Sequence, residues 1–119
     1  MDMDATVKEL VESLSLELRR GTIILSVLSQ MKQPKYGYSL VQVLEQKGMS
    51  IEAGTLYPLL RRLEKQGLLK SEWQTDSNKP RKYYSLTTLG SDVYGELCTQ
   101  WNKLVDGMKH LMDGGAQDE

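Results

Sequence analysis

One cysteine, one histidine and no long apolar run set the first limits on this chain of 119 residues. Cys98, being alone, excludes an intrachain disulfide and fits a reducing cytoplasm, which is the expected location. His110 and Cys98 have no metal-ligand spacing around them, so neither a metal nor another cofactor is expected. No nucleophile elbow, phosphate-binding glycine loop or CxxC pair appears. Catalysis therefore has no support, and an enzyme is not expected. The start, MDMDATVKEL, lacks the basic region and apolar core of a signal peptide, and no apolar stretch approaches the length of a bilayer span. No membrane partner is expected. The length suits one compact domain, in which a long helix gains by finding a partner chain.

An excess of either charge sign is also lacking, with a formal net charge of -1. Its distribution is more informative. Residues 51–82 carry Arg61, Arg62, Lys65, Lys70, Lys79, Arg81 and Lys82 against Glu52, Glu64, Glu72 and Asp76, a net +3. Residues 83–119 carry Lys103 and Lys109 against Asp92, Glu96, Asp106, Asp113, Asp118 and Glu119, a net -4. Within the basic segment Leu56, Leu59, Leu60 and Leu63 recur at helical spacing, with Arg61, Arg62 and Lys65 mostly off that stripe. Gly67 sits where this helix should stop, Leu68 to Trp73 suits a strand, Asp76 to Pro80 has turn chemistry, and Arg81 to Leu86 is extended again. Helix, strand, basic turn and strand make a winged helix, whose helix enters a DNA major groove while the hairpin reaches the neighbouring backbone.

The remaining elements follow from periodicity. Val7, Leu10, Val11, Leu14 and Leu18 predict an amphipathic helix over Thr6 to about Arg20. Ile23 to Met31 is apolar nearly all round and predicts a buried helix, stopped by Pro34. Tyr36-Gly37-Tyr38-Ser39 opens another helix, with Leu40, Val41, Val43 and Leu44 inward and Gly48 as its C-terminal cap. Pro58 removes a backbone donor, so the basic helix is expected to start near Ala53 or Gly54 with an irregular first turn. Of Tyr83 and Tyr84, which alternate faces, one is expected in the core. Thr87 or Thr88 caps a final helix whose Tyr94, Leu97, Trp101, Leu104, Met108 and Leu111 form a heptad seam, widened by Cys98, Val105 and Met112. A second copy of the chain is the simplest cover for that seam, giving a two-fold homodimer.

Tyr36-Gly37-Tyr38, Gly54-Thr55-Leu56-Tyr57-Pro58, Arg62-Leu63-Glu64 and Pro80-Arg81-Lys82-Tyr83-Tyr84, followed by Leu86-Thr87 and Gly90, stand in order and at matching distances. In this the chain resembles the PadR-type transcriptional regulators, in detail over about residues 18–92. The resemblance implies a DNA-binding role for Arg61, Arg62 and Lys65, for which the plain alternative is a solvated helix face. It likewise favours backbone or minor-groove contact by Lys79, Arg81 and Lys82 over a solubility role at a hairpin tip. Thr55 and Tyr57 add hydroxyl donors on the first turn. Tyr36 and Tyr38 stand beside the next helix N-terminus, whose amides favour phosphate, with core packing as the alternative; Tyr38 is counted with the DNA-binding set. Short members of this family include multidrug regulators that hold planar aromatic compounds between tryptophans of the last helix. Trp101 matches that place, with Leu97, Leu104 and Val105 as lining candidates, although an interface anchor is the simpler role for a seam tryptophan. The chain departs from the family at Ala53, where a proline is frequent, and in having one C-terminal helix where larger members have several.

The expectation is a mostly helical α+β fold: an N-terminal helix over residues 1–20, a winged helix-turn-helix over 21–87, a dimerisation helix over 88–112 and a disordered tail over 113–119. The expected function is a repressor that binds a palindromic double-stranded operator as a homodimer and is released by a planar aromatic effector. Two rivals are a winged-helix protein-interaction module without DNA binding, and a small-molecule binder that has lost it.

Overall fold

The structure, a computed structural model, describes residues 3–76 and 78–114. Helix α1 (Met3–Arg20) leads through Gly21 and Thr22 into α2 (Ile23–Ser29). A two-residue strand β1 (Lys35–Tyr36) precedes α3 (Gly37–Gln46) and α4 (Ala53–Lys65). The hairpin of β2 (Leu69–Gln74) and β3 (Arg81–Leu86) then feeds α5 (Thr88–Asp113). The three strands are antiparallel in the order β1-β3-β2, with Tyr36 opposite Tyr83 and Leu69 opposite Leu86. This is the expected α+β winged helix-turn-helix with a long C-terminal helix.

Several boundaries differ from the sequence reading, each for a local reason. Tyr36 stands at the N-cap of the helix that starts at Gly37 and is not itself helical. It is extended and pairs with β3, which completes a third strand that two residues of sequence could not announce. The helix after Gly21 ends at Ser29 instead of Met31, and only Val27 and Leu28 within it are sealed from solvent. Met31 is buried beyond the helix end, where its carbonyl accepts a 2.9 Å hydrogen bond from the Leu86 amide. The long helix runs on through Asp113, and the rest of the expected tail, residues 115–119, lies outside the described residues, as does Ser77 of the wing turn.

Helix ends follow their glycines. Gly48 (φ 79°) and Gly67 (φ 83°) take the left-handed conformation after α3 and α4, where other residues are strained. Behind each, a paired hydrogen bond closes the turn: Met49 N–H to Leu44 O at 2.8 Å, and Leu68 N–H to Leu63 O at 3.0 Å. At the start of α4 the Glu52 carbonyl accepts from both Thr55 and Leu56, each at 2.9 Å. The first turn is thus tightened, and the helix continues through Pro58.

The core gathers Leu40 and Leu44 of α3, Leu56, Leu60 and Leu63 of α4, Val27 and Leu28 of α2, and Leu69 and Tyr84 of the sheet. Burying each of these leucines is worth about 1.5–3 kcal/mol. They fix α4 against α3 and β2, leaving its other side in solvent. The two long helices behave differently. On α1 the stripe Val7, Leu10, Val11 and Leu14 is 54–58 % exposed. The radius of gyration, 18.3 Å, exceeds the ~13.5 Å of a compact chain this long. Both long arms carry apolar surface that this chain does not cover.

Candidate nucleic-acid interface

The leucine stripe of α4 decides which of its side chains face outward. With Leu56, Leu59, Leu60 and Leu63 turned into the core, Thr55, Tyr57, Arg61, Arg62 and Lys65 are exposed on the remaining arc. Two concavities flank that arc. On the side of α2, Thr55, Pro58 and Arg62 join Arg20, Ile23 and Ile24 around a groove of about 320 Å³. On the side of the wing, Tyr57 and Arg61 join Tyr36, Gly37, Arg81, Lys82 and Tyr84 around a cavity of about 300 Å³. The structure therefore splits the hydroxyl donors, sending Thr55 to one side of the helix and Tyr57 to the other.

Among the described residues, one carboxylate of α4 meets two side chains of the wing. Glu64 lies 3.4 Å from the Lys82 ammonium through one oxygen and accepts a hydrogen bond from the Ser71 hydroxyl through the other. Lys82 also stands 5.2 Å over the Tyr84 ring, and Arg81 4.8 Å over the ring of Tyr36. Tyr36 in turn meets Tyr83 edge to face at 5.5 Å. Burial pulls the Lys82 ammonium down, but its hydrogen bond to Tyr84 and its attraction to Tyr84 and Glu64 outweigh this and move its pKa upward. The cation is secure at neutral pH.

The sequence-predicted residues fall into three groups. Tyr57, Arg61, Arg81 and Lys82 converge on the wing-side cavity, and Thr55 and Arg62 on the α2-side groove. Lys65 is exposed on the open arc and Lys79 in the wing turn. Tyr38 is 58 % exposed and lines neither concavity, whereas its neighbour Tyr36 lines the wing-side one. Arg20 and Ser71 have no signal in the sequence, because their partners come from other elements; Glu64 stands in the Arg62-Leu63-Glu64 motif, but no local spacing announces its bonds to Lys82 and Ser71. On α5, Tyr94 and Leu97 pack against the core of their own chain, unlike the rest of the predicted seam. Trp101, Leu104, Met108 and Leu111 stay exposed, with Val105 half-buried. Cys98 is half-buried, and its hydrogen bond to Tyr94 one turn away raises the phenol's pKa.

The joint between α4 and α5 is tight. The Thr87 hydroxyl donates to the Gly67 carbonyl at 2.6 Å and accepts from the Gly90 amide at 2.9 Å, capping α5 on the end of α4. Gly90 lies against the Leu68 carbonyl, where a side chain would overlap it.

Residues 24–96 match the transcriptional regulator PadR-like family. A PadR family transcriptional regulator from Eggerthella lenta is 52% identical, with a TM-score of 0.86, over 91% of this chain and 96% of that one. A transcriptional regulator of Mycobacterium tuberculosis is 36% identical over 84% of this chain and 98% of its own length. The fold is also that of Bacillus subtilis PadR in complex with operator DNA, at 20% identity and a TM-score of 0.60 over 67% of this chain and 48% of that one.

Proposed function

This chain belongs to the PadR-like family of DNA-binding transcriptional regulators, and from that premise we propose that it is a repressor. It binds a two-fold operator as a homodimer and leaves it when a planar aromatic compound occupies the dimer interface. The observation that carries the DNA-facing half is the outward arc of α4, where Arg61, Arg62 and Lys65 are exposed and Arg61 shares a concavity with Arg81 and Lys82 of the wing. Cations on two adjacent elements follow the two phosphate walls of a groove.

The dimer reading is supported by the apolar surface that one chain leaves open. Leu10 and Leu14 on α1, and Trp101, Leu104 and Met108 on α5, are all at least 42 % exposed. A second copy covers these faces and places two recognition helices about 34 Å apart, one turn of the duplex. Trp101 is then available to stack on a planar ligand, with Leu104 and Val105 beside it; Leu97 serves mainly its own core. A ligand that favours another arrangement of the α5 pair shifts the spacing of the α4 pair, since Thr87 and Gly90 couple the two helices.

The test is binding of the purified protein to short duplexes from upstream of its own gene, titrated against salt. Tight binding of two chains to one fragment, with a steep salt dependence, is the expected result. Equal, weak binding to all fragments would favour a protein-interaction module instead. For the effector, planar aromatic compounds should quench tryptophan emission in the wild type and in Trp73→Ala but not in Trp101→Ala. Quenching that follows Trp73 removes the interface site.

A further inference from the structure

We propose that Arg19 is a positioning residue: by bonding the turn from which α4 starts, it makes the direction of the α1 arm set the direction of the recognition helix. The inference rests on the dimeric DNA-binding reading above and concerns what keeps two such helices at a fixed separation. The Arg19 guanidinium donates to the Ser50 carbonyl at 2.7 Å, across 31 positions of sequence. Ser50 lies between α3 and α4, outside both helices.

Both ends of that bond are anchored. On one side the Arg19 carbonyl accepts from the Thr22 amide at 2.9 Å and from the Thr22 hydroxyl at 2.8 Å, which fastens the end of α1 to the start of α2. On the other side the Met49 amide donates to the Leu44 carbonyl at 2.8 Å, Ile51 is buried in the core, and the Glu52 carbonyl opens α4. The turn is thus pinned before and after Ser50. A displacement of the Ser50 carbonyl reaches the first turn of α4.

Stability alone does not account for the guanidinium. Its Nε is sealed from solvent and has no hydrogen-bond partner, an arrangement that is unfavourable for a charged group. An apolar side chain with a similar stem would pack there and leave no donor unpaired, so the tie to Ser50 is what arginine adds. The arm gives that tie its effect. With 18 residues α1 is about 27 Å long, and a second copy that grips its exposed Val7, Leu10 and Leu14 acts on Arg19 through a long lever. Without the bond to Ser50, a tilt of the arm reaches α4 only through Gly21 and α2.

The test compares the wild type, Arg19→Met and Arg19→Gln on a duplex selected by the wild-type protein from a random-sequence pool, then remade with base pairs added or removed between its half-sites. Each added pair moves one half-site by about 3.4 Å and turns it by about 36°. The wild type should prefer the selected spacing by about tenfold or more, whereas both variants should bind all spacings within about threefold of one another. Affinity for a single half-site, the urea midpoint and dimerisation in sedimentation equilibrium should stay at their wild-type values. Variants that keep the wild-type spacing preference overturn the proposal while the regulator reading stands, and so does a wild type indifferent to spacing. An equal loss of affinity at every spacing also overturns it, because Arg19 would then be a direct DNA contact or a plain structural residue. Should Arg19→Met lower the urea midpoint, the spacing profile of Arg19→Gln decides by the same criteria. Failure of the wild type to select any duplex would overturn the operator reading and the proposal together.

Discussion

Gly37 and Tyr57 meet ring to backbone, so closely that any carbon added to Gly37 would overlap the Tyr57 ring and stand 2.8 Å from its hydroxyl oxygen. The glycine of the Tyr36-Gly37-Tyr38 motif is therefore required by a residue twenty positions later, on another helix. Tyr57 is held over the start of α3 as a result.

Gly37→Ala should destabilise the domain by about 1–3 kcal/mol, the usual cost of overpacking a closed site. Urea unfolding measures it. In a Tyr57→Ala background the same change should cost well under half as much, because the obstructing ring is gone. Equal costs in the two backgrounds would mean that the ring is not what Gly37 accommodates.

Glu64 is the carboxylate that faces the cationic wing. In Glu64→Gln the Ser71 hydroxyl keeps a partner and Lys82 loses its ion pair, whose two side chains are 31% and 33% exposed. A pair so open to solvent contributes little, about 0–1 kcal/mol, so stability should hardly move. DNA affinity should rise, with the salt slope steeper by up to about one unit, since one cation is freed for phosphate. Weaker binding in this variant would show that Glu64 serves chiefly to position the wing.

The joint at Thr87 offers a separate test. Thr87→Val keeps the shape but loses the cap and the bond to Gly67, and should cost about 1–2 kcal/mol in thermal or urea unfolding. Gly90→Ala should cost at least as much, because the added carbon meets the Leu68 backbone, which cannot turn aside as a side chain would.

For the apolar arms, Leu14→Glu and Leu104→Glu should each give monomers in sedimentation equilibrium with little loss of fold in the winged domain. Both positions are exposed in the single chain, at 58% and 63%, so a charge there disturbs only what a second copy would cover. A dimer that survives both substitutions would place the interface elsewhere.

The sequence by itself determined the helices, the hairpin and the site's cationic half. Leucines at helical spacing oblige α4 to bury one face, and Arg61 and Arg62 are outward as a direct consequence. Gly48 and Gly67 stop helices because backbone of positive φ is cheap only for glycine, and Thr87 caps α5 through a bond three residues long. These are local rules, readable wherever the chain supplies both partners within a turn or two. Only the tertiary structure decided that Tyr36 belongs to a strand, that Tyr36 and not Tyr38 enters the cavity, and that Glu64 joins Ser71 to Lys82. It also decided that Tyr94 and Leu97 turn to their own core while the same heptad seam runs on exposed through Trp101. A heptad repeat states that one face is apolar, but which surface covers it depends on where the other helices stop, and that is a matter of packing.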